Sequence, residues 1–294
     1  MKKTRIIAIL IFSIFFVIAC DDNPSEPPVT MSSLNLNISG LENLGSSAMY
    51  EGWIMVDGAP QTTGTFSVDA SGNMSKTSFS INSDALAGAT AFILTIEPNP
   101  DPSPEPSSTH IIAGDFSGNS ANLSIAHSAA LGTDFTSAMG TYILATPTNG
   151  SESNENSGIW FLDLSSGAPA VGLELPVLPS GWRYEGWTVI NGTPVTTGTF
   201  LSSTGFDAAD PYSSTQAGPP FPGEDFLVNA PSGLTFPTNI AGGTAVISVE
   251  PYPDNSQLPF TLKPLVGTIP SDATDHTNYD MMLNASFPTG TVNR

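Results

Sequence analysis

The chain has 294 residues and a formal charge of −20, from 27 Asp and Glu against 7 Lys and Arg, with only 12% of its residues charged. Partners that present phosphates, whether nucleic acid or anionic lipid headgroups, need clustered Lys and Arg to neutralise them, and this composition excludes both. A single cysteine excludes an intrachain disulfide, while 27 Gly and 26 Pro suit many short strands joined by turns.

Residues 1–19 read as an export signal. Lys2, Lys3 and Arg5 precede an apolar run from Ile6 to Ala19 that ends at Cys20, the charged and apolar regions of a signal peptide. That run is shorter than the roughly 20 residues a helix needs to span a bilayer. Val17-Ile18-Ala19-Cys20 resembles a bacterial lipobox, which implies that Cys20 is lipidated and becomes the new N-terminus. Several acyl chains on one cysteine anchor stably, since each buried methylene contributes about 0.8 kcal/mol. Residues 20–30 then form the lipidated cysteine and an acidic, Pro-rich tether. The expected location is the extracytoplasmic face of a cell envelope. Once the signal leaves, Lys76, Arg183, Lys263 and Arg294 are the only Lys and Arg facing 27 acids.

Downstream, alternation with a period of two dominates, as in half-buried strands. Leu34, Leu36 and Ile38 alternate with polar neighbours, as do Phe79 and Ile81, then Leu123 and Ile125. Residues 91–96 and 245–249 are more continuously apolar and read as central strands, each stopped by Glu-Pro. No segment keeps a helical period over three turns. Asp57-Gly58 and Asn191-Gly192 are strong two-residue hairpin signals, because both positions tolerate positive φ.

The strongest pattern is a duplication. Tyr50, Glu51, Gly52, Trp53, Gly58, Pro60, Gly64 and Phe66 return 134 residues later as Tyr184, Glu185, Gly186, Trp187, Gly192, Pro194, Gly198 and Phe200. Glu97, Pro98, Asp101 and Gly114 return at an offset of 153 as Glu250, Pro251, Asp254 and Gly267. One folded unit is therefore used twice. The fold class is all-β, with two tandem β-sandwich-like units at 31–165 and 166–294. From Phe66 to Glu97 is 31 residues and from Phe200 to Glu250 is 50, so the second unit holds an insert. Within it residues 217–225 are too Pro-rich for a ladder, and a long loop on a rigid scaffold is a place for specificity.

Both blocks resemble the C-terminal extracytoplasmic domain of anti-sigma-K factors of the RskA type. The resemblance rests on Tyr50, Trp53, Gly58, Pro60, Gly64, Phe66, Glu97 and Pro98, and again on Tyr184, Trp187, Gly192, Pro194, Gly198, Phe200, Glu250 and Pro251. After each Glu-Pro the chain departs from that family's Gly-Ser and Pro-Thr-Gly-Pro, with Asn99-Pro100-Asp101-Pro102 and Tyr252-Pro253-Asp254. The resemblance implies a sensing or interaction module in the envelope. With only five residues ahead of the apolar run, it implies no sigma-binding domain of its own.

Reactive chemistry is sparse. The three histidines, His110, His127 and His276, stand without a Gly-x-Ser-x-Gly elbow or a zinc pattern. Glu51 with Glu97, and Glu185 with Glu250, could be carboxylate pairs of a carbohydrate-active enzyme. Their repetition at motif positions favours a structural role, accepting backbone N–H groups. Trp53 and Trp187 read as core rather than sugar platforms. No cofactor is expected; calcium is the alternative, since hard cations want oxygen ligands from loops and Glu97, Asp101 and Glu105 cluster, as do Glu250 and Asp254. The functional expectation is a non-enzymatic binding or sensing lipoprotein, with a structural or adhesive surface protein as the rival. Its partners would be the membrane, through Cys20, and an envelope protein.

Overall fold

The computed structural model describes residues 28–150, 153–254 and 256–294, so Cys20, the signal and most of the tether lie outside the described residues. As expected, the chain is all-β and built from two units. The first stretch forms β1 (Met31–Ser39), β2 (Ala48–Val56), β3 (Ala59–Phe66), β4 (Ser78–Asn82), a short helix α1 (Ser83–Gly88), β5 (Ala91–Pro98), β6 (His110–Ser117), β7 (Ser120–Ser124) and β8 (Met139–Leu144). Next come β9 (Gly158–Trp160), β10 (Leu162–Asp163), β11 (Ala170–Val171), β12 (Leu173–Glu174), β13 (Trp182–Ile190) and β14 (Thr193–Phe200). The chain continues with β15 (Gly223–Asp225), β16 (Thr244–Pro251), β17 (Leu265–Thr268), β18 (Tyr279–Leu283) and β19 (Thr289–Asn293).

The duplicated motif folds as read. Strands β2 and β3 close through Asp57 and Gly58 at φ 52° and 79°, and β13 and β14 through Asn191 and Gly192 at 51° and 83°. Paired positive φ values make a turn whose twist matches the strands. Tyr50 stacks on Phe66 at 5.5 Å and Tyr184 on Phe200 at 5.6 Å. Each tyrosine hydroxyl donates to the carbonyl eight residues upstream, of Glu42 at 2.9 Å and of Pro176 at 2.7 Å. Trp53 and Trp187 are buried, with Nε1 donating to Thr95 Oγ1 at 2.9 Å and Ser248 Oγ at 2.8 Å. Gly64 and Gly198 hold φ of 106° and 107° opposite the bulges at Gly52/Trp53 and Gly186/Trp187.

The two large sheets have one topology. The first runs β3-β2-β5-β6-β7-β19-β1-β4 and the second β14-β13-β16-β17-β18-β8-β9-β15, with β12 added on β8. Position by position, β19 in the first sheet corresponds to β8 in the second. Yet β8 follows β7 in sequence, and β19 follows β18. Each unit's last strand has crossed into the other's sheet. Sheet membership therefore does not follow a division at 165/166: residues 139–160 belong to the second sheet and 289–293 to the first. A trace of the equivalence survives in sequence, as Gly140-Thr141 and Gly290-Thr291 hold matching register, Thr141 opposite Asp280 on β18 and Thr291 opposite Asn122 on β7. A strand's period of two reports which face is buried, not which neighbour it pairs with.

Two further departures have local causes. Helix α1 is too short to show a period; Asn82 caps it by accepting from the Asp84 and Ala85 N–H groups. In the insert, residues 217–222 stay out of any ladder, but Gly223–Asp225 follows the prolines and pairs with β9 as the counterpart of β4. One large hydrophobic core runs through both units, with smaller clusters around Trp160 and around Trp53. Phe135 bridges them, edge-on to Tyr184 at 6.5 Å and 5.6 Å from Phe287.

Candidate functional site

The Glu-Pro endings of β5 and β16 both line one groove of about 600 Å³. Proline has no N–H to continue a ladder, so each loop leaves its sheet there. Glu42, Glu97 and Pro98 from the first unit line it together with Glu250, Tyr252 and Asp254 from the second. The units approach closely at Gly181, where a Cβ would meet the Ser108 carbonyl oxygen at 2.6 Å. The Tyr252 N–H donates to the Gly181 carbonyl at 2.8 Å, and the Arg183 guanidinium lies 4.1 Å from the Tyr252 ring centre.

Register explains how the carboxylates meet. Glu185 faces Ser248 across the ladder, so Glu250 is its diagonal neighbour on the same face. In the first unit Glu51 faces Thr95, which makes Glu97 its diagonal neighbour. All four are buried. Glu51 accepts from the Thr62 hydroxyl, and Glu185 from the Thr196 hydroxyl. Glu97 accepts the Ser107 N–H on both oxygens, at 2.9 and 3.2 Å. Glu250 accepts the Phe260 N–H at 2.9 Å and the Ser248 hydroxyl, both on Oε1.

The copies then diverge. In the second unit one carboxylate oxygen each from Glu185, Glu250 and Asp254 lies within 4.8 Å of the others, the only such acidic or His/Cys group among the described residues. Oε2 of Glu185 and Oε2 of Glu250 are buried without a hydrogen-bond partner. Burial pushes the Glu185 carboxyl up to about 7, with Asp254 adding to the rise, and the Glu250 carboxyl up to about 8, with Asp254 and Glu185 adding. Burial likewise raises Glu51, with smaller contributions from Glu97 and Asp101. Lys263 is close enough to interact with Glu42 and Glu250. The described residues show no Lys or Arg ion pair; their ion pairs are His127–Asp115 and His276–Asp275.

A second acidic cluster escaped the sequence reading, although Asp207, Glu224 and Asp225 lie within the insert. Asp225 is fully buried and accepts the Thr148 N–H at 2.8 Å, the Thr148 hydroxyl at 2.5 Å and Trp160 Nε1 at 2.8 Å. Glu224, also fully buried, accepts from the Ser213 hydroxyl and the Asp225 N–H. Asp207 accepts the Gly223 N–H at 3.0 Å. These contacts clamp the insert onto β9. The legible signal was two adjacent acids directly after a Pro-rich run.

Burial pushes Glu224 up to about 8 and Asp207 up to about 7. The unfolded chain releases both protons near pH 4, whereas the folded chain holds them through neutral pH. Their contribution to stability is therefore complete below pH 4 and lost as pH rises through 7 to 8. The melting temperature should fall between pH 5 and pH 8.5, and Glu224→Gln should flatten that slope. A melting temperature that rises over this interval would contradict the assignment.

Comparison of the chain with family models, with curated proteins and with solved structures yields no match.

Proposed function

We propose that the protein is an envelope lipoprotein, anchored through Cys20, that acts without catalysis as a binding or sensing module. The observation that carries this reading is the groove built jointly by the two Glu-Pro loops. It is lined by the carboxyl groups of Glu42, Glu97, Glu250 and Asp254 and edged by the half-exposed Tyr252. Concave, mixed-polarity sites between units are common places for ligands, and this one would favour a partner presenting cationic or hydrogen-bond-donating groups. The resemblance to the anti-sigma-K C-terminal domain supports the same class of role. The pair Glu51 and Glu97 speaks against glycoside cleavage, since both are buried and each is held by a separate partner.

The test has two arms. Cys20→Ser should move the protein from the membrane fraction to the soluble fraction. A photoreactive residue at Tyr252, in the groove, should capture one discrete envelope species that the same residue at the exposed Met282 does not. Identical capture from both positions, or no change of fraction, would overturn the reading.

A further inference from the structure

We propose that Glu185, Glu250 and Asp254 form a site for one hard divalent cation of the calcium class, set into the wall of the groove. Calcium binds oxygens at about 2.3–2.6 Å, so two ligands on opposite sides of the ion stand about 5 Å apart. Three carboxylate oxygens within 4.8 Å of one another match that span. The donor set is oxygen alone, without the nitrogen or sulfur that zinc prefers. Glu250 and Asp254 line the groove, which gives an ion a path inward and room for the waters that complete its shell.

The independent observation is the pair of orphaned oxygens. Glu185 is 5% exposed and Glu250 1%; Oε2 of each receives no N–H or hydroxyl donor, and the further neighbour of Glu185 is the Asp254 carboxyl, another acid. A buried oxygen without a partner forfeits its hydration with nothing in return. Both belong to a cluster of three acids that, among the described residues, makes no Lys or Arg ion pair. One divalent ion would satisfy both oxygens.

The first unit is an internal control. Glu51, Glu97 and Asp101 occupy the equivalent positions, yet both Glu97 oxygens are taken by the Ser107 N–H. Neither Glu51 nor Glu97 is among the residues with a buried, unpartnered oxygen. The difference lies in Ser248, whose hydroxyl joins the Phe260 N–H on Oε1 of Glu250 and leaves Oε2 free. The two halves thus share a motif, but only the second half holds a cation.

This inference rests on the binding-module reading only for an extracytoplasmic supply of calcium. The test uses the full chain in detergent, stripped by chelator and titrated with calcium or magnesium by calorimetry and by thermal melting. Calcium should bind once per chain, with Kd on the order of 10⁻⁴ to 10⁻³ M, and raise the melting temperature. Asp254→Asn should weaken binding at least tenfold. Glu185→Gln should abolish the calcium response without lowering the melting temperature of the stripped protein, because it removes one of three crowded acids. Asp101→Asn should bind as the parent does. No response to calcium up to about 10 mM, preferential response to magnesium, or parent-like binding by both second-unit variants would overturn the site. Capture through Tyr252 does not depend on these outcomes, so the two readings fail separately.

Discussion

Removal of residues 289–294 should abolish cooperative folding of the first sheet, although that sheet's other seven strands lie more than 160 residues upstream. Strand β19 stands inside the first sheet, between β7 and β1. Its residues pair on both sides, Val292 with Leu36 and with Ala121, and Val292 is fully buried. Without it, β1 and β4 lose their only ladder to the rest of the sheet, and two interior strands become open edges. Arg294 adds a clamp, donating to the carbonyls of Leu86 at 2.6 Å, Ala89 at 2.8 Å and Gly118 at 3.0 Å. The expected loss is comparable to the whole stability of an ordinary domain, about 5–15 kcal/mol. Circular dichroism and gel filtration should show partly unfolded, associating protein. A peptide of residues 286–294 added in trans should restore a cooperative melt by strand addition. A truncated chain that melts as the parent does would show that β19 is dispensable.

The second large effect belongs to Asp225. Replacement by alanine should cost about 3–5 kcal/mol, because the Thr148 N–H, the Thr148 hydroxyl and Trp160 Nε1 would all lose their acceptor in a buried place. Asparagine should recover only part of the loss, since its amide NH2 would face donors on one side. Urea unfolding of the two variants measures the difference directly. Loss of under about 1 kcal/mol for the alanine variant would mean that water replaces the carboxylate.

Local chemistry was legible in the sequence; long-range pairing was not. Asp57-Gly58 and Asn191-Gly192 announced their hairpins because the turn residues alone determine the geometry. The Glu-Pro stops of β5 and β16 were readable for the same reason, as a missing N–H is a property of one residue. The exchange of β8 and β19 was hidden, because either strand fits either sheet by its burial pattern, and Gly140-Thr141 against Gly290-Thr291 is too short a repeat to settle a partner. The carboxylate cluster was half-legible. Glu250 and Asp254 stood together in sequence, but Glu185 joins them only through the register that sets it opposite Ser248. Asp225 and Glu224 read as the polar end of a loop, and only their pairing with β9 buries them.

The exchange of final strands is what joins two repeats into one body and fixes the groove between them. It is tested most directly by disulfides engineered across the ladders. Antiparallel partners stand about 4.5–5.5 Å apart at Cα, within the range a disulfide spans. Asn122 opposes Thr291, and Thr141 opposes Asp280. In chains carrying Cys20→Ser, the cysteine pairs 122/291 and 141/280 should each oxidise rapidly to a bridged monomer, while 122/141 and 280/291 should stay reduced. The opposite pattern, with bridges at 122/141 and 280/291, would place each last strand in its own sheet and contradict the exchange.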